Sequence, residues 1–373
     1  MQIALPTNCF CVGIDISKAT YEATLLQLQT DRRAEVLASR QFPNTTTGHI
    51  ELLRWMKGRV RAATVSGSGA QPDVHIGLEA TGRYHEDLVY FLFDRGYGRL
   101  SVILPNKIKH FARSLNEYSK NDPLDARLIA RYVAMHVPDA WQPLSPLMRQ
   151  LRELSRERQA ITRMSTQAKN RLKALSGSPK QVQPTVRKTI HRLRRQVKFF
   201  AHQIQQIEAE MDALRAGDVD LQRSHDLLVS VPYIGSLTAY TLLAETDGFV
   251  LFNSREQLLK YAGLDIVEKQ SGSSVRGRTR ISKRGNGALR SAPYPGLGTV
   301  GKGHNVFGQT YRSALARGLT KKQARTAVVR QVLRVAYGVH KSGQPYDEAI
   351  HRGRTQNRVG EHEGSPTVTD LMG

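Results

Sequence analysis

A chain of 373 residues with 55 Lys and Arg against 32 Asp and Glu carries a formal net charge of +23 and a sequence pI near 10.3. That length buries more than one core, and that charge makes a polyanion, most simply nucleic acid, the default partner. No apolar run approaches the roughly 20 residues of a membrane-spanning helix, the N-terminus has no basic leader or cleavage pattern, and Cys9 and Cys11 are too few for a disulfide framework or a zinc site, so no membrane partner and a cytoplasmic location are expected.

Residues 1–145 alternate strand and helix signals. "CVGIDISK", "YEATLLQLQT" and "AEVLASRQF" read as three strands joined by short links, an antiparallel meander. "TGHIELLRWMKGRV" has helical spacing at Ile50, Leu53 and Met56, and the Gly/Ser-rich "VSGSGAQPD" is a loop. Strand "VHIGLEA", helix "YHEDLVYFLFDRGY", strand "LSVILP" and helices through "LDARLIARYVAMH" follow. Three strands and then α-β-α-β-α is the order of an α/β, ribonuclease-H-like mixed sheet with helices on its faces.

Residues 146–222 change character. From Val186 the apolar positions run through Ile190, Leu193, Val197, Phe200, Ile204, Ile207 and Met211 to Leu214, alternating steps of four and three over four heptads. An earlier arm from Leu147 to Leu175 keeps the same phase with polar breaks, and "SGSPKQVQP" separates the two. A helical hairpin and an intermolecular coiled coil both satisfy this spacing, and the seam over 186–214 is expected to mediate a contact between protomers. Residues 223–347 form a further, mostly α-helical unit. In it "LLVSVPYIGSLTAYTLLAE" resembles one hairpin of a helix-hairpin-helix, with Tyr233 where that motif has glycine. Residues 348–373 are polar and are expected to be a disordered tail.

Four acids stand out in the first segment. Asp15 lies in the first strand between Ile14 and Ile16, where a buried charge is costly without a partner. Glu79 ends the fourth strand. In "SKNDPLDARLIARY", Asp122 and Asp125 share one helix face; alone they read as a helix start, with Asp122 capping and Pro123 at the first helical position. In a ribonuclease-H-like order these four carboxylates converge. Their mutual repulsion calls for a divalent cation, Mg²⁺ or Mn²⁺ by the hardness of oxygen ligands, and two such ions can clamp a phosphodiester.

With "GIDISK", "LEATGRY", "KNDPLDARLIA", "YAGL", "SGSSVRGRTRISKRGNGALR" and "VAYGVHKSGQPYD" in this order, the chain resembles the DEDD transposases of the IS one-ten insertion-sequence family from about Val12 to Asp347. The resemblance implies a RuvC-like domain, a coiled-coil segment and a second domain with a catalytic serine. It implies a recombinase that acts on donor and target DNA, works as a homo-oligomer (dimer or tetramer) and is guided by a structured RNA from the element's own end. By motif it assigns Asp15, Glu79, Asp122 and Asp125 to metal binding and catalysis, and Ser271 as the nucleophile.

The loop around Ser271 supports nucleic-acid contact independently. Its serines and glycines interleave with Arg276, Arg278, Arg280, Lys283 and Arg284, cations suited to phosphate oxygens behind small residues that let the backbone approach. Composition does not separate Ser271 from Ser273 or Ser274; the motif does. After "ALR" the chain departs from the family pattern. Pro293 and Pro295 are expected to interrupt the helix there and to shift the support beneath the serine loop. Two rival readings remain: a RuvC-like junction nuclease using the four acids alone, and a non-catalytic nucleic-acid-binding protein whose acids are helix caps and strand ends.

Overall fold

In the computed structural model the described residues are 9–29, 34–64, 73–80, 82–116, 122–179, 181–267, 270–271, 275–276 and 280–352. The chain divides into two compact units, Met1–Pro143 and Leu144–Gly373.

The first unit is a five-stranded mixed sheet. Strands β1 (Cys9–Ile16), β2 (Thr20–Leu28) and β3 (Ala34–Pro43) form the antiparallel meander, and β4 (Val74–Glu79) and β5 (Leu100–Ile103) add in parallel on the other side, giving the order β3-β2-β1-β4-β5. Strand alternation sends the two faces of β1 into different cores. Phe10, Val12, Ile14 and Ile16 pack with Leu52 and Met56 of α1 (Thr46–Ala63) and Leu88 and Leu92 of α2 (Glu86–Phe93). On the other face Cys9 and Cys11, both free thiols, pack with Ile108 and Phe111 of α3 (Pro105–Ser114) and Ile129 and Val133 of α4 (Asp122–His136).

Two glycines let α4 lie directly on the sheet. A Cβ at Gly13 would stand 2.2 Å from both the Ala126 carbonyl oxygen and the Ala130 nitrogen, and one at Gly77 would stand 2.3 Å from Val133 Cγ2. Those atoms are helix backbone at Gly13, so nothing larger than hydrogen fits there.

The second unit begins with two long helices, α5 (Pro146–Ser176) and α6 (Gln183–Ala216), packed on each other within the chain. All nine positions of the heptad seam on α6 are buried or half-buried, with Leu193, Ile207 and Met211 fully so. The polar breaks in α5, Arg158 and Ser165, also face inward: Ser165 is buried, and the half-buried Arg158 pairs with Glu208 of α6. The base of this hairpin shares a core with α7 (Val219–Val229), α8 (Ser236–Thr246), α9 (Arg255–Tyr261), α11 (Val306–Ala316) and α12 (Lys321–Ser342).

Between α7 and α8, tyrosine stands where the helix-hairpin-helix pattern has glycine, and it takes a left-handed backbone. Tyr233 adopts φ +71°, its carbonyl lies against Gly296, and its hydroxyl lies against Gly303 and donates to Asn305 Oδ1 at 3.3 Å. The prolines do interrupt the helix after "ALR": α10 (Gly287–Ser291) is five residues long and a 3-10 helix, Tyr294–Lys302, follows. The support they were expected to shift is anchored, since Thr238 Oγ1 donates to the Ala292 carbonyl (3.1 Å), Tyr294 Oη lies 2.7 Å from Thr326 Oγ1, and Leu297 and Val300 are buried. The first residues of the tail expected from 348 are ordered. Residues 348–352 are helical, and Glu348 accepts from the Val306 amide (3.0 Å) and the Tyr346 hydroxyl (2.5 Å). Residues 353–373 lie outside the described residues, as does most of the loop expected over 65–73.

Candidate active site

The parallel ladder between β1 and β4 runs to Ile14 opposite Leu78. Asp15 and Glu79 are the next residue on each strand, so they occupy matching positions at the C-terminal ends of neighbouring strands. Period-two alternation puts them on the face where Gly13 and Gly77 meet α4. Asp125 precedes Ala126, the residue whose carbonyl covers Gly13. Asp15, Glu79 and the first turn of α4 thus share one face of the sheet. All three of Asp15, Glu79 and Asp125 are half-buried.

The ladder also supplies an acid that the motifs do not mark. Glu22 of β2 stands directly across from Asp15 and is half-buried beside it. Only the register of the hairpin reveals it, because seven residues separate the two in sequence.

Oxygen donors alone make this a set for a hard cation such as Mg²⁺ or Mn²⁺, and two strand ends plus a helix can supply them without backbone rearrangement. Among the described residues no group of three or more His, Cys, Asp or Glu closes on a metal position. The Asp122 side chain, the fourth ligand by motif, lies outside that description.

The serine segment belongs to the second unit. It is a double hairpin stem: β6 (Ile266–Val267) pairs with β9 (Arg280–Ile281), and inside it β7 (Gln270–Ser271) pairs with β8 (Val275–Arg276), Ser271 opposite Val275. Ser271 therefore ends its strand at the tip of the inner hairpin. Arg278, Ser273 and Ser274 lie outside the described residues, as do the side chains of Ser271 and Arg276. Arg280 and Arg284 are exposed, and with Lys283, Val267 and Ser282 they line a cleft of about 380 Å³.

The base of this stem is pinned by backbone. Lys283 donates its amide to the Gly263 carbonyl (2.9 Å), and Asn286 to that of Tyr261 (2.7 Å). Arg290 reaches the Ala262 carbonyl at 2.8 Å, and the Ser282 hydroxyl donates to Asp265. Gly285 has φ +148° with the Tyr261 carbonyl where a Cβ would be, so this close approach requires glycine.

Beneath the stem lies a buried carboxylate, Glu245, only 3% exposed. Arg156 of α5 binds it through two hydrogen bonds of 2.8 Å, and Asn286 Nδ2 donates to it at 2.7 Å while its Oδ1 caps α10 through the Leu289 amide. Burial pushes the Glu245 carboxyl up, but the hydrogen bonds and charge of Arg156, with the Asn286 hydrogen bond and the charge of Arg152, more than offset this and hold it below its ordinary value. The network was invisible in sequence because its members lie 41 and 89 residues from Glu245.

Two family descriptions match this chain: a DEDD transposase of the IS110 type over residues 12–176, and the transposase IS116/IS110/IS902 family over 225–301. The chain is 29% identical to the pilin gene-inverting protein of Moraxella lacunata and 28% identical to that of Moraxella bovis, in each case over 91% of this chain and 98% of the relative. It is also 28% identical to an uncharacterised 43.6 kDa protein of insertion element IS110 from Streptomyces coelicolor, over 42% of this chain and 39% of that one. Both matches are to one family, and the chain belongs to the IS110 family of transposases, the IS one-ten family that its motifs resemble.

Proposed function

We propose that this protein recombines DNA through a covalent phosphoserine at Ser271, with Asp15, Glu79, Asp122 and Asp125 as the metal-binding acids of a RuvC-like domain. The observation that carries this reading is the shared face of Asp15, Glu79 and the start of α4. Mg²⁺ or Mn²⁺ held there would stabilise charge on the phosphate and lower the barrier to displacement. The Ser271 oxygen forms a bond to the scissile phosphorus as the strand oxygen leaves, and the serine proton ends, net, on that released hydroxyl. Rejoining reverses the balance: a strand hydroxyl attacks the phosphoserine and the serine regains its proton. Arg276, Arg278, Arg280, Lys283 and Arg284 hold phosphate oxygens around this exchange.

The names of the Moraxella relatives support inversion of a DNA segment as one outcome of the chemistry. A structured RNA from the element's end is proposed as the guide, a dimer or tetramer as the working form, and the cytoplasm as the location. Among the described residues no helix is long and apolar enough to cross a membrane.

The test is to sequence RNA that co-purifies with the protein, then assay donor and target DNA that pair with it, with and without divalent cation. Rejoined products that require the cation and both Asp15 and Ser271 are expected. Free ends without rejoining, insensitive to Ser271→Ala, would make the protein a junction nuclease instead.

A further inference from the structure

Charge along the α5–α6 hairpin is segregated lengthwise. At its base the two helices mix signs, with Glu153 and Glu157 on α5 and Glu208, Glu210 and Asp212 on α6. The last ion pair towards the tip is Arg158 with Glu208 at 2.6 Å. Beyond it the composition changes abruptly: residues 158–207 hold twelve Lys and Arg and no Asp or Glu, more than half of the chain's net +23 in fifty positions.

Ten of these twelve cations are exposed. Lys188, Arg192 and Arg195 follow one another at i, i+4 and i+7 on α6, all exposed, with Phe199 next in the row at i+11 and 57% exposed. The stripe spans about 16 Å at the rise of an α-helix. Leu193, on the opposite side, faces α5 and is buried.

The arrangement is unfavourable for folding alone. Like charges four apart on a helix cost a few tenths of a kcal/mol each. The first turn of α6 has no acidic residue, and Arg187 and Lys188 follow it closely, so positive charge sits at the positive end of the helix dipole. A face built only for solubility mixes signs, as the base of the same hairpin does. A single-sign rod calls for a partner with the opposite sign spread over a comparable length, and duplex DNA presents a phosphate charge about every 1.7 Å along its axis.

We propose that the distal half of the α5–α6 hairpin is a sequence-independent docking arm for the backbone of duplex DNA. It rests on the recombinase reading only for the identity of the polyanion.

The experiment uses the full chain with Lys188, Arg192 and Arg195 changed together to Gln, and separately to Glu. A control changes Lys57, Arg59 and Arg61 of α1, three exposed cations in the other unit, to Gln. Binding to a plain duplex of arbitrary sequence is followed against salt concentration. For the hairpin variants, the log–log salt slope should fall by about 2 to 3, near 0.9 for each phosphate no longer neutralised, and affinity at low salt should fall at least about tenfold. The control should move the slope by less than about 1. Equal losses in control and hairpin variants would reduce the effect to net charge and overturn the arm. An unchanged DNA slope with weakened binding to a structured RNA hairpin would overturn DNA as the occupant. If the Glu variant does not fold, the Gln variant decides, since it removes charge without adding any. Recombination is scored separately in the unchanged chain and with Asp15→Asn: rejoined products absent from the unchanged chain sink the recombinase reading, products that survive Asp15→Asn sink only the role given to Asp15, and either leaves the arm standing, whereas an unmoved salt slope beside Asp15-dependent recombination sinks only the arm.

Discussion

Arg156 grips the buried Glu245 carboxylate from one side with two hydrogen bonds of 2.8 Å, while Asn286, at the foot of the serine stem, grips it from the other. The carboxylate is therefore a fixed point between the long hairpin and the segment that carries Ser271. Removing Arg156 leaves a buried charge held by Asn286 and the nearby charge of Arg152. Arg156→Ala is expected to cost about 2–3 kcal/mol, below the usual figure for a wholly buried pair because the Arg156 side chain is 37% exposed. Denaturant unfolding measures it. Amide exchange at Asn286 should quicken more than exchange in α12, because the loss is local to the stem.

Gly13 tests whether α4 must lie on the sheet. Gly13→Ala drives a methyl into helix backbone, which cannot rotate away, so a loss of about 1–3 kcal/mol or more is expected. Recombination should fall further than stability does, since the displaced helix carries Asp122 and Asp125. Activity measured well below the melting temperature, set against that temperature, separates the two effects. A variant that loses both in proportion would leave α4 with a packing role alone.

Ser271→Ala should abolish the covalent adduct with DNA, and Ser273→Ala and Ser274→Ala should keep it. Adduct retained in Ser271→Ala and lost in one of the others reassigns the nucleophile.

Acid weakens the first unit through His75. Burial and the nearby Arg99 push this imidazole down to about 4, and its Nε2 lies 2.8 Å from Ser101 Oγ, which in turn meets the carbonyls of Pro138 and Asp139. Its folded value is below the unfolded one, so above pH 6.5 both states are neutral and the fold keeps its full stability. As pH falls, the unfolded chain takes a proton that the folded chain refuses, and about 2 kcal/mol is lost by pH 5. Burial also lowers His49, His225 and His340, so they act in the same direction. His75→Gln keeps a donor for Ser101 without the titration and should flatten the pH profile of unfolding between 7 and 5.

Ile207→Asp should unfold the second unit instead of merely separating protomers, because Ile207 is 6% exposed inside the chain's own core. A loss of at least about 3 kcal/mol is expected. A folded Ile207→Asp protein with only its assembly changed would show that the seam serves contacts between chains.

The heptad seam from Val186 to Leu214 and the alternation of Phe10, Val12, Ile14 and Ile16 were legible in sequence, because burial on one face repeats at a fixed interval. The element order of the first unit was legible for the same reason. Register was not. Which residue faces Asp15 depends on the turn at 17–19, so Glu22 emerged only from the ladder. The anchoring of the serine stem was equally hidden, since Glu245 reads as an ordinary helix residue until Arg156 and Asn286 are brought to it. Proline at 293 and 295 correctly signalled a broken helix, but the contacts that hold the broken segment in place come from Thr238 and Thr326, far away in sequence.

Tyr233 stands where the helix-hairpin-helix pattern has glycine, and the glycines at 296 and 303, in the segment that departs from the family pattern, fit against it. The tyrosine's carbonyl and hydroxyl take the volume that any side chain at those two glycines would need. The contact at Gly303 is with the tyrosine side chain itself, so the two positions are expected to be exchanged together. A chimaera that grafts the 293–305 segment into a relative with glycine at the hairpin turn should leave a hole where Tyr233 stood, and the reverse graft should force the ring against side chains with nowhere to go. Breakpoints for shuffling sequences within this family belong outside 233–305, so that both halves of the lock travel together.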